Sequence, residues 1–81
     1  MSIYKELVDK FGAEDRKKKC IEELSELIRA IARDDRANVL EEMTQVAYQL
    51  EMLELVYRFT ADELIKQDGI ELKRLEALLD D

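Results

Sequence analysis

The sequence contains no histidine and no proline, and only two glycines and one cysteine among its 81 residues. Each shortage excludes something. Without histidine there is no imidazole base and no His-ligated zinc, so any chemistry must run on carboxylates, amides, Lys, Arg or Tyr. Without proline, and with so little glycine, there are few places to turn a strand. The abundance of Leu, Glu, Lys, Ala and Arg instead favours helix along nearly the whole chain. The single cysteine, Cys20, cannot close an intrachain disulfide, and a reducing cytoplasm is the simplest setting for it. Its place in an apolar stripe reads as a small core residue rather than a reactive thiol. No apolar run approaches the roughly 18 residues of a membrane span, and no secretory apolar segment opens the sequence. Basic charge is also short: thirteen Lys and Arg stand against twenty Asp and Glu, a formal charge of −7. A surface of that sign repels nucleic-acid phosphates. It still allows a phosphorylated small molecule, because clustered carboxylates can recruit a divalent cation that in turn binds phosphate.

What is present is helical patterning from end to end, in a length that fits one domain, residues 1–81. Ser2 is placed to cap a short first helix that ends near Phe11, with Gly12 as its stop. A second helix is predicted from about Ala13 or Glu14 to Ala32, with Ile21, Leu24, Ile28 and Ile31 at coiled-coil spacing. The polar run from Arg33 to Arg36 is short enough to fold the next helix back antiparallel. That third helix is predicted over Asn38–Phe59. Asn38 and Glu41 read as its capping box, with Asp35 as the alternative cap for an earlier start. Thr60 and Glu63 form a cleaner capping box for a fourth helix through about Leu79. Gly69 within it costs about 1 kcal/mol relative to Ala and marks a place for a kink.

The third helix carries an apolar face of Met43, Val46, Ala47, Leu50, Leu53 and Tyr57, and Met52, Leu55 and Val56 extend apolar character around the rest of its circumference. A helix apolar on nearly all sides must be covered on nearly all sides. Three companion helices, one of them short, cannot supply that cover. The expected architecture is therefore an all-α antiparallel bundle completed by oligomerisation, as a dimer or tetramer.

Acidic residues interrupt these faces. Glu23 and Glu26 stand at i,i+3 on the second helix, with Glu23 inside the apolar arc and Glu26 at its edge. Glu42 and Gln45 repeat the spacing on the third helix, and Gln49 follows one turn on. A carboxylate turned toward an interior is costly unless paired or bound to a metal. Two such pairs on antiparallel neighbours would offer oxygen ligands to Mg²⁺ or Mn²⁺. The plainer alternative is a solvated rim whose acids pair with Arg16, Lys17, Lys18 or Lys19. Tyr48 and Tyr57 are placed to stack on a base, or to serve as core or interface residues.

The stretch from Glu22 to Ile31, followed after a gap by Glu42-Met-Thr-Gln45, resembles the E-x-x-E…E-x-x-D signature of MazG-like nucleotide pyrophosphohydrolases. The similarity continues through Val46–Leu53 and covers roughly residues 17–59. It implies an all-α, oligomeric enzyme that splits a nucleoside triphosphate into the monophosphate and pyrophosphate with Mg²⁺. Carried over, Glu23, Glu26 and Glu42 would be metal ligands, with Gln45 at the fourth position. Glu22 would be a base or a group behind the ligands, and Lys19 a phosphate contact. The sequence departs from the signature at Gln45, where the pattern has Asp, and one unit of ligand charge is lost. The resemblance is thus compatible with a working hydrolase or with a weakly binding scaffold that does not turn over.

Overall fold

The computed structural model describes residues 2–80, and all its regular structure is helical. Four helices follow in order: α1 (Ile3–Phe11), α2 (Ala13–Ala32), α3 (Arg36–Val56) and α4 (Ala61–Leu78). Their boundaries are set by identifiable caps. The Ser2 hydroxyl accepts from the Tyr4 amide, and the Thr60 hydroxyl accepts from the Glu63 amide while the Glu63 carboxylate takes the Thr60 hydroxyl in return. α3 begins earlier than the Asn38 cap would place it. Asp35 is the cap, accepting from the Asn38 amide at 3.2 Å. α3 also stops at Val56 rather than Phe59, because Arg58 turns left-handed at φ 57°. There the Phe59 amide reaches the Glu54 carbonyl and the Arg58 amide that of Leu55, a Schellman closure. Asp34, at φ 55°, closes α2 the same way through the Asp35–Ala30 and Asp34–Ile31 bonds. α4 runs through Gly69 without a break, since one glycine lowers helix stability but leaves the hydrogen-bond ladder intact.

A single residue, Gly12, separates α1 from α2. Its φ of 88° and ψ of 161° lie in a region that only glycine occupies at low cost. A Cβ built there meets nothing within 4 Å, so the penalty of a side chain is purely conformational. Gly12→Ala is expected to lower stability by about 1–3 kcal/mol. Urea unfolding would measure this, and an unchanged midpoint would show that the α1–α2 corner relaxes.

Three residues join α2 to α3, and the two helices pack along their length as an antiparallel pair, with α1 lying against both. The packed stripes differ from those the periodicity suggested. On α2 they are Cys20, Glu23 and Ala30, and on α3 Glu42, Val46, Gln49 and Met52. The expected apolar seam instead faces outward: Ile21, Leu24, Ile28 and Ile31 on α2, and Leu40, Met43 and Leu50 on α3, are exposed, Ile28 by 67%. At about 100° per residue, each outward stripe is rotated from its packed stripe by a similar angle in the same sense. On antiparallel neighbours equal rotations lead to one side, so the two stripes form a continuous apolar slab.

α4 packs against none of the other three helices and has no buried residue. It projects from the rest and widens the molecule to a radius of gyration of 15.3 Å, against about 12 Å for a close-packed chain of this length. No described helix is long and apolar enough to cross a membrane.

Candidate metal centre

The packed face of the α2–α3 pair holds the acids that the sequence singled out. Glu23 and Glu26 come from adjacent turns of α2 and Glu42 from the facing turn of α3. Their carboxylates bring one oxygen each to within 4.8 Å of one another. Glu23 and Glu42 are only 6% and 8% exposed, and Glu26 is half-buried. The antiparallel turn makes this possible: with Asp34 near the midpoint of the hairpin, residue 26 and residue 42 lie at equal distances from it along the chain.

Three carboxylates in so small a space cannot all stay ionised without a cation. Glu42 shows the strain most clearly. Burial, then the proton it shares with Glu23, then the charges of Glu26 and Glu23, push its pKa up to about 7. Its Oε2 is buried and has no hydrogen-bond partner. One cation is already near. The Lys19 ammonium stands 3.1 Å from Glu23 and 3.7 Å from Glu22. The hydrogen bond to Glu23, with the Glu22 and Glu23 charges, holds its pKa above the ordinary lysine value. Lys19 meets one edge of the cluster and leaves Glu42 unserved. An orphaned carboxylate oxygen beside two other oxygen donors, with no nitrogen or sulfur ligand, is a donor set that fits a hard divalent cation such as Mg²⁺ or Mn²⁺.

The other sequence candidates lie around this core. Glu22 is exposed and outside the three-carboxylate group, linked to it through Lys19. Gln45 is also exposed, on the wall of a neighbouring hollow shared with Tyr4, Arg16, Tyr48 and Gln49. The expected alternative partners are occupied elsewhere: Arg16 binds Asp15, and Lys17 binds Glu14 while lying over the Tyr57 ring. Gln49 is buried with its Oε1 unpartnered. Sequence reading placed Gln49 on the right face but gave it no role, since a glutamine one turn beyond an acid has no charge to betray it. The largest concavity, about 540 Å³ between Phe59 and the first half of α4, is remote from this chemistry. Its one carboxylate, Glu63, is the α4 capping residue.

Fold and site together define a class: an all-helical protein whose central antiparallel pair buries a carboxylate cluster suited to a divalent cation and, through it, to polyphosphate. The chain belongs to the phosphoribosyl-ATP pyrophosphohydrolase family, whose model matches residues 3–81. This places it among all-α pyrophosphohydrolases, the broad group to which the E-x-x-E…E-x-x-Q pattern pointed, under a different family name from the MazG-like one. No curated protein and no solved structure gives a match.

Proposed function

We propose that the chain is a divalent-metal-dependent pyrophosphohydrolase. It adds water across the bond between the α and β phosphates of a nucleoside triphosphate, or of a phosphoribosyl derivative of one, and releases pyrophosphate and the monophosphate. The observation that carries this reading is the Glu42 carboxylate, buried against Glu23 and Glu26 with one oxygen unpartnered. Glu23, Glu26 and Glu42 would hold Mg²⁺ or Mn²⁺, which when bound screens the charge on the phosphates. The chain's own residues do the rest. The carboxylates give up their shared proton to become ligands, and Glu23 releases Lys19, whose ammonium then turns to a phosphate oxygen. Glu22, held at the edge of the cluster by Lys19, accepts the proton of the attacking water.

Pyrophosphate release, screened across nucleoside triphosphates and phosphoribosyl-ATP with and without Mg²⁺, tests the proposal. Glu22→Gln should lower turnover in the same assay and leave Mn²⁺ binding unchanged. Absence of metal-dependent release from every substrate would overturn the activity. Gln45 favours a second reading, a nucleotide- or metal-binding scaffold without turnover, because a neutral, exposed amide stands where the signature has a carboxylate.

We further infer that the working form is an assembly of copies of this chain. The support is the apolar slab on α2 and α3 together with an α4 that packs on nothing within the chain. Contiguous apolar surface of this kind marks an interaction face. Sedimentation equilibrium at micromolar concentration is expected to give at least twice the monomer mass. Ile28→Asp, at the middle of the slab, should shift the population toward monomer. A wild-type monomer of ordinary stability would remove the inference.

A further inference from the structure

Beside the carboxylates, α1, α2 and α3 bound a hollow of about 440 Å³, within the ~300–1,000 Å³ range of small-molecule sites. Its walls are aromatic and apolar at Tyr4, Tyr48 and Met52, and amide-bearing at Gln45 and Gln49. Its single cation is Arg16, and that guanidinium is taken. It donates to Asp15 at 2.6 and 3.1 Å and lies 4.8 Å from the centre of the Phe11 ring. A phosphate would find no free positive charge here. A flat, uncharged group with a polar edge fits the lining better.

Gln49 supplies the specific signal. Its side chain is 6% exposed, it lines the hollow, and its Oε1 has no hydrogen-bond partner. A buried acceptor left open is costly unless a ligand or water completes it. A glutamine amide presents an acceptor beside a donor, the pattern complementary to the amino group and adjacent ring nitrogen of adenine. Tyr4 and Tyr48, with ring centroids 6.3 Å apart and planes inclined by 40°, form an aromatic wall on which a base can stack. Spacing agrees. Gln49 lies seven residues beyond Glu42 on the same buried face of α3, roughly 10 Å at 1.5 Å per residue, and Gln45 stands between them. A nucleotide with its phosphates at the carboxylates reaches the hollow with its base.

We propose that this hollow binds the adenine of the substrate, with Gln49 reading the amino edge and Tyr4 and Tyr48 stacking on the ring. The placement of the phosphates rests on the hydrolase reading above, but the hollow itself makes a separate claim: the base should bind without any phosphate.

Adenosine is therefore the probe, titrated in EDTA so that no metal takes part, and followed by backbone amide chemical shifts. Saturable binding is expected, with the changes centred on Tyr4, Tyr48 and Gln49. Inosine, which carries a carbonyl in place of the amino group, should bind about tenfold more weakly or worse. Gln49→Leu should remove that discrimination. Tyr48→Ala, at an exposed position that folding does not depend on, provides a second variant and should weaken adenosine about tenfold. Equal binding of adenosine and inosine, or shifts confined to another face, would overturn the proposal. The two readings fail separately. Adenosine binding without metal-dependent pyrophosphate release refutes the hydrolase alone, and release without adenosine discrimination refutes the adenine pocket alone.

Discussion

Glu42→Gln is expected to abolish Mn²⁺ binding and pyrophosphate release and, at the same time, to make the metal-free protein more stable. The two effects share one cause. In the wild type, Glu42 brings a third carboxylate into a cluster that already holds Glu23 and Glu26, and burial and like charge oppose its ionisation. An amide of the same shape removes the repulsion and can donate a hydrogen bond to either neighbour. It also deletes a ligand charge, and even the groups behind metal ligands change affinity or activity by about 10–100-fold when lost. A drop of at least about a hundredfold is therefore expected at Glu42 itself. Gln45→Asp should act in the opposite direction, tightening Mn²⁺ and raising release, because it restores the ligand type of the family signature. Isothermal titration with Mn²⁺ and a coupled phosphate assay measure both variants. If both are silent, the acids form a structural rim and the enzyme reading fails.

The second large effect is one of pH. Because the Glu42 pKa is pushed up to about 7 from an ordinary value of 4.5, the folded protein holds a proton that the unfolded chain releases. The contribution of Glu42 to stability is then fully present below about pH 4.5 and is lost as pH rises through about 7. A bound divalent cation reverses the preference, since it needs the carboxylate form. Metal affinity should fall by up to about tenfold for each pH unit below 7 and level off above it. Urea unfolding at pH 5.5 and pH 8 in EDTA, repeated with Mn²⁺, should show roughly opposite slopes. Glu42→Gln provides the control: an identical pH dependence in that variant would assign the effect to other carboxylates.

The sequence carried the elements of this molecule better than their arrangement. Helix ends were legible wherever a side chain caps them, as Ser2 does for α1 and Thr60 with Glu63 for α4. They were misjudged where the stop depends on backbone geometry that no residue type announces, as at Arg58, a left-handed position without glycine. The carboxylates were found because i,i+3 spacing on two successive helices is a property of the sequence itself. The orientation of the apolar stripes was not. Ile21, Leu24, Ile28 and Ile31 form the more regular seam, yet the chain packs α2 through Cys20, Glu23 and Ala30 and leaves that seam exposed. Hydrophobic periodicity records every surface that must leave water, within a chain or between chains, and cannot divide them. The hollow beneath α1 was equally hidden, because it depends on how a short helix lies across α3.

Cys20 lies one turn before Glu23 on the packed stripe of α2, 2% exposed, and burial pushes its thiol pKa up. Its consequence is kinetic. A sulfhydryl reagent attacks through the thiolate, and a thiolate forms here only when α2 parts from α3. The lone sulfur is therefore a gauge of how often the pair breathes. The same opening separates Glu23 from Glu42, so a cation held between them slows the labelling of an atom it never touches.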